Sequence, residues 1–154
     1  MNDSCLHICE HDAPASTVES LVEHCRSKGL RKTALLVALL RLFLNSIKPI
    51  SVQAIQSDSS IGDSCDTATV YRLLGRLEER GIVRRIGSHE RSMHYVLNLG
   101  HNHREYLICT QCGGVEVLDF PCPVDTLEQK IARKTGYQHL YHELQFFGVC
   151  PKCA

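Results

Sequence analysis

Two cysteine pairs carry the most specific chemistry in this 154-residue chain: Cys109-x-x-Cys112 and Cys150-x-x-Cys153. A C-x-x-C turn presents two thiolates to one ion. Zn²⁺ takes four tetrahedral ligands, so two such turns fill its shell and leave no open position, which marks a structural rather than a catalytic site. The alternative is a pair of redox motifs. In a reducing compartment, paired C-x-x-C motifs read as metal ligands instead. Cys5, Cys9, Cys25, Cys65 and Cys122 are scattered.

Histidines and carboxylates offer a second set of donors. Extended spacing places His101, His103 and Glu105 on one side of the segment leading to Cys109. Between Tyr137 and Val149 the residues alternate, with Leu140, His142, Leu144 and Phe146 on one side. An imidazole on that apolar side needs a partner, either a metal or a backbone hydrogen bond. His89 and His94, with His101 and Glu116 or Asp119, form an alternative metal set; otherwise they are exposed residues of a hairpin. The polar, acidic leader 1–15 holds Cys5-x-His7-x-Cys9-x-His11, which has ligand chemistry without a framework.

These groups need elements to hold them. A helix is expected from a Ser16 or Thr17 cap to Gly29, and a second, strongly apolar one from Arg31 to Leu44. A short helix over Ser51–Gln56 follows Lys48-Pro49, then a Ser- and Asp-rich loop. The segment Asp66–Arg80 is the clearest helix: Val70, Leu73, Leu74 and Leu77 make one stripe, and Gly81 ends it. Tyr71, Arg72, Gly75, Arg76 and Arg80 lie off that stripe. Strands at Ile82–Ile86 and Met93–Leu97 complete a basic hairpin carrying Arg84, Arg85 and Arg91. Helices followed by a basic hairpin are the order of a winged helix-turn-helix, whose wing lies along phosphates. Beyond Gly100, strands at Tyr106–Cys109 and Val115–Phe120, a helix at Val124–Lys134 and the alternating stretch make a small α/β unit. The fold class is therefore α+β, with a leader 1–15, a winged-helix DNA-binding domain 16–97 and a zinc-binding domain 98–154.

Net charge is zero over the whole chain, yet unevenly placed. Residues 1–25 hold five acids and no Lys or Arg. Residues 26–97 hold twelve bases against six acids, a surplus of six, and residues 98–154 hold five against six. The middle third is the candidate for phosphate contact. No apolar run approaches the ~20 residues of a membrane span, and the acidic start does not resemble a secretory signal. The expected location is cytoplasmic.

The run Thr69-Val70-Tyr71-Arg72-Leu73-Leu74, with Leu77-Glu78 and Gly81-Ile82-Val83, resembles the recognition-helix signature of the ferric uptake regulator family. His101-x-His103, then Tyr106-Leu107-Ile108-Cys109-x-x-Cys112-Gly113, is similar to that family's lead into its structural cysteines. With Cys150-x-x-Cys153, the likeness spans Ser16 to Cys153. It implies a homodimer, joined through the C-terminal domain, that binds palindromic operator DNA when metal is present. Members respond to iron, zinc, manganese, nickel or peroxide. Carried over by motif, Tyr71 would meet bases, Arg72 a phosphate or base edge, and Thr69 a phosphate at the helix N-terminus. His103, Glu105, Asp125 and His142 match a family metal site of two histidines and two carboxylates, suited to Zn²⁺, Fe²⁺ or Mn²⁺. The chain departs from the family pattern in three places. Arg104 and Tyr106 stand where a His-x-His is usual, the region of Pro49 lacks the usual histidine, and Thr33-Ala34-Leu35-Leu36 replaces Thr-Pro-Gln-Arg.

The expected function is a metal-dependent DNA-binding repressor of metal-uptake or metal-homeostasis genes, with structural Zn²⁺ and a second, regulatory Zn²⁺ or Fe²⁺. It is not expected to be an enzyme or to act on a small organic substrate. Two other readings are a zinc-ribbon interaction module and a zinc-dependent hydrolase using His101, His103 and Glu105, neither binding DNA. Closed cysteine coordination and the absence of a G-x-S-x-G or H-E-x-x-H motif weigh against the second; the basic winged helix weighs against the first.

Overall fold

Side-chain caps set the helix boundaries in the first half of the molecule. In the computed structural model, which describes residues 17–61, 65–87, 93–98, 104–138 and 140–154, Thr17 caps α1 (Val18–Ser27) and Thr33 caps α2 (Ala34–Asn45). Ser51 caps α3 (Val52–Ser57) and Asp66 caps α4 (Thr67–Glu79). Each cap satisfies an amide that the first helical turn leaves unpaired. The second helix thus starts at Ala34 rather than Arg31, because Thr33 Oγ1 accepts from Leu36 N at 3.1 Å and its own backbone is extended.

Helix α4 ends in a Schellman turn. Ile82 N donates to Leu77 O at 2.8 Å and Gly81 N to Glu78 O at 2.9 Å. That closure needs a left-handed residue, and Gly81 supplies it at φ +69°. The chain then runs into β2 (Val83–Ile86), which pairs antiparallel with β3 (His94–Leu97). A short β1 (Ile50–Ser51) adds to the far side of β3, giving the order β1-β3-β2. Two residues between a proline and α3, the second of them the cap of that helix, offer no period to read, so sequence patterning misses this strand.

Leu36, Leu39, Leu40, Ile55, Leu74 and Leu77 are fully buried in one core that α1–α4 share with the wing sheet. The stripe on α4 therefore faces inward as its spacing predicts, except that Leu73 is only half-buried.

The C-terminal lobe is built differently. Strand β4 (Glu105–Cys109) pairs antiparallel with β5 (Val115–Leu118) and parallel with β6 (Gln145–Gly148), in the order β5-β4-β6. Between them runs α5 (Asp125–Thr135). Strand β6 begins only at Gln145; the described residues of Tyr137–Leu144 form no strand, so the alternation there is not that of a sheet. Among its described residues, α5 buries none, while Leu127, Ile131, Tyr137, Phe146 and Phe147 are exposed in the single chain. The lobe's own core is small: Tyr106 and Ile108 pack with Ile86 of the wing. Among the described residues, no helix is long and apolar enough to cross a membrane.

Candidate metal centres and candidate nucleic-acid interface

Parallel pairing of β4 with β6 places their C-terminal ends side by side, Cys109 in register with Gly148. Both C-x-x-C turns leave from that one end of the sheet. The four sulfurs of Cys109, Cys112, Cys150 and Cys153 consequently lie within 4.8 Å of one another, with Cys112 Sγ 3.8 Å from Cys150 Sγ. A tetrahedron with Zn–S of about 2.3 Å has edges of roughly 3.8 Å, so this set fits Zn²⁺ and is too open for a disulfide. The amides of Cys112 and Cys150 hold the Cys109 thiol down to about 6, whereas crowding by the sulfurs of Cys150 and Cys112 pushes Cys153 up to about 12. One thiolate suppresses its neighbours unless a cation joins them.

A second cluster lies at the start of β4. Glu105, Cys122 and His142 each offer a ligand atom within 4.8 Å of the others. Cys122 Sγ is 3.0 Å from His142 Nε2, and His142 Nδ1 is bonded to Glu128 Oε2 on α5. Glu105 is buried, and its Oε1 has no hydrogen-bond partner among the described residues. Burial, with the Glu105 and Asp125 carboxylates nearby, pushes the Cys122 thiol up to about 11. Of the donors expected from sequence, the structure brings together Glu105 and His142. Asp125 opens α5 on its exposed side; it reaches the Cys122 thiol of that group but is not itself one of its three donors. His103 lies outside the described residues, as do His89, His101 and the leader with Cys5, His7, Cys9 and His11. His94 opens β3, opposite Ile86 and Ser51.

Sequence patterning does not point to Cys122 or Glu128 as members of this cluster. Cys122-x-x-Asp125-x-x-Glu128 has a three-residue spacing that could have signalled one helix face and its approach. Without the crossover that carries His142 back to α5, nothing tied that face to Glu105.

On α4, Val70, Leu74 and Leu77 are buried, and Tyr71, Arg72 and Arg76 are exposed on the other side. Thr69 sits in the first turn, but its amide already donates to Asp66 Oδ1 at 2.6 Å, and its hydroxyl accepts from Arg72 Nη2 at 2.9 Å. That amide is therefore occupied by the cap. On the wing, neighbouring residues point to opposite faces. Arg85 is exposed and pairs with Glu78 at 3.7 Å. Arg84 turns toward the C-terminal lobe, pairing with Glu143 at 3.4 Å and lying 5.7 Å from the centre of the Tyr106 ring. Two more bonds join the lobes: Arg104 Nη1 donates to Ile47 O at 2.7 Å, and Gly87 N to Gln145 Oε1 at 3.1 Å.

A family model described as "Ferric uptake regulator family" matches residues 27–147. The chain is 36% identical over 93 residues to the ferric uptake regulation protein of Neisseria meningitidis, covering 60% of this chain and 62% of that protein's length. It is 28% identical over 138 residues to the peroxide-responsive repressor PerR of Staphylococcus aureus, covering 88% and 90% of the two. The solved ferric uptake regulator of Vibrio cholerae superposes with a TM-score of 0.62 at 29% identity, over 83% of this chain and 98% of that one.

Proposed function

Because the chain belongs to the ferric uptake regulator family, we propose that it is a metal-dependent, DNA-binding transcriptional repressor controlling metal-uptake or metal-homeostasis genes in the cytoplasm. Iron or zinc is the effector. One observation carries this reading: Glu105, the buried carboxylate of the second cluster, stands between Arg104 and Tyr106, and both of those residues touch the winged-helix lobe. A change in charge at Glu105 thus adjoins contacts between the two lobes.

Cys109, Cys112, Cys150 and Cys153 are the structural zinc ligands, which would hold the two ends of a lobe with little core of its own. His103, Glu105, Asp125 and His142 are the regulatory donors assigned by family position. Tyr71, Arg72 and Arg76 face the major groove with Thr69 beside them; Arg85 follows the phosphates, and Arg84 adds charge from the wing's inner face. The exposed apolar side of α5 and β6 supports a homodimer closed through residues 98–154, since a patch of this kind on a single chain marks an interface. The winged helix spans residues 16–97. We assign no catalytic role and no small organic substrate. The alternative donors, His89 and His94 from the wing with His101, would serve only if His142 does not.

The test is an operator titration of the zinc-loaded dimer, using a duplex selected from a random pool, with and without added Zn²⁺ or Fe²⁺. His142→Ala should keep the structural zinc and lower the metal-induced gain in affinity by about 5- to 150-fold, the range of allosteric coupling. An unchanged gain in this variant, with loss in His94→Ala, assigns sensing to the wing instead. The longer match to PerR favours a second reading, response to peroxide. It predicts that the Fe²⁺-loaded protein loses operator binding on peroxide treatment.

A further inference from the structure

The second cluster contains a sulfur, and that changes which metal it suits. Its donors come from three elements: Glu105 on β4, Cys122 just before α5, and His142 in the segment leading to β6. Glu128, in the first turn of α5, holds His142 Nδ1. A carboxylate on Nδ1 fixes the proton there, so the lone pair of Nε2 faces Cys122, 3.0 Å away. A thiol donating to that nitrogen would satisfy the imidazole but not Glu105. Glu105 is 6% exposed, and its Oε1 lacks a hydrogen-bond partner among the described residues. A buried carboxylate oxygen in that state calls for a cation. One thiolate and one carboxylate just offset a divalent ion among the three ligands, which suits burial, and the Glu128 carboxylate stands outside that balance.

We propose that Cys122 Sγ, His142 Nε2 and Glu105 Oε1 are ligands of a thiolate-containing Zn²⁺ site, with Glu128 as the residue that positions His142. The inference rests on the metal-dependent repressor reading and deepens it by choosing the metal. Thiolate ligation favours Zn²⁺ over Mn²⁺ and Fe²⁺, which an all-nitrogen-and-oxygen set does not do. Binding forms a Zn–S bond and releases the Cys122 thiol proton to solvent, with no change of oxidation state.

The probe is Co²⁺ added to the full-length protein with zinc already in the four-cysteine site. The wild type should bind one further Co²⁺ with a sulfur-to-cobalt charge-transfer band in the near ultraviolet. Cys122→Ser should lose that band while keeping its structural zinc. Glu128→Gln should keep the band and weaken Co²⁺ binding about 10- to 100-fold, the usual effect of removing a carboxylate behind a ligating histidine. A second Co²⁺ bound without the band, or with the same band in Cys122→Ser, overturns the thiolate ligand and leaves the repressor reading intact. No second Co²⁺ at all overturns both. A band that is present while operator affinity ignores metal sinks the repressor reading alone. Should Cys122→Ser fail to fold, alkylation of the wild type decides. A second equivalent of Zn²⁺ should abolish labelling of Cys122 and leave Cys65 unchanged; equal labelling of Cys122 overturns the assignment.

Discussion

Arg84→Met tests whether the wing is latched to the lobe that carries the candidate metal sites. Methionine keeps the apolar stem and removes the guanidinium. The lost contacts are the stacking over Tyr106 at 5.7 Å and the pair with Glu143 at 3.4 Å. Stacking of this kind contributes about 0.5–1 kcal/mol near a surface. The Arg84 and Glu143 side chains are 21% and 45% exposed, so solvent screens the pair to about 0.2–1 kcal/mol. Together they amount to about 1–2 kcal/mol, or roughly 5- to 30-fold in an equilibrium constant. Coupling between an effector site and its target is commonly about 1–3 kcal/mol, so this latch could carry much of it. The assay is operator affinity with and without Zn²⁺, read as the ratio of the two. If the latch forms only in the metal-bound arrangement, that ratio should fall by up to roughly 5- to 30-fold. Glu143→Gln should lower it too, and the double variant should show less than the summed effect. The reasoning is refuted if both affinities fall equally and the ratio stays constant. With a shallower salt dependence, that result would make Arg84 a phosphate contact, as its place on the wing first suggests.

Three other outcomes are expected. Cys109→Ser or Cys150→Ser should remove the tightly held zinc and unfold or monomerise the C-terminal lobe; a protein that keeps one zinc per chain and sediments as a dimer contradicts the clamp. Tyr71→Ala and Arg72→Ala should each weaken specific DNA binding by about 1–3 kcal/mol, while Arg85→Ala mainly flattens the salt dependence; equal affinity in both helix variants would exclude α4 from the groove. Leu127→Glu with Ile131→Glu should yield a monomer by sedimentation while zinc is retained, and a persisting dimer would move the interface off α5.

Legibility in the sequence followed the range of the interactions. Helix α4 was readable because its cap, stripe and terminal glycine all lie within sixteen residues, Asp66 to Gly81. The four-cysteine site was readable because each half is a local turn; the parallel pairing only brings the halves together. The stretch before β6 misled because alternating Leu140, His142 and Leu144 looks like a strand, whereas His142 is held by Cys122 and Glu128 from another element. Cys122 passed as one more scattered thiol for the same reason: its partners are 17 and 20 residues away (Glu105 and His142), and composition does not encode that distance. Charge alone points Arg84 and Arg85 alike toward DNA, since nothing local distinguishes them. Only the strand's twofold alternation, set against Tyr106 across the lobes, separates their roles.

Strand β6 lies at the edge of its sheet, with Phe146 and Phe147 exposed on the single chain and Cys150 two residues past its end. While the four sulfurs are held together, that edge is anchored to β4. Released, it is an aromatic strand with free backbone groups, ready to pair with another copy of itself. Loss of the structural ion would then lead out of solution instead of to a reversible off state. On the proposed function, a repressor that must respond to metal many times over requires two very different lifetimes in one small lobe. One ion must outlast every cycle of scarcity, and the other must come and go within each.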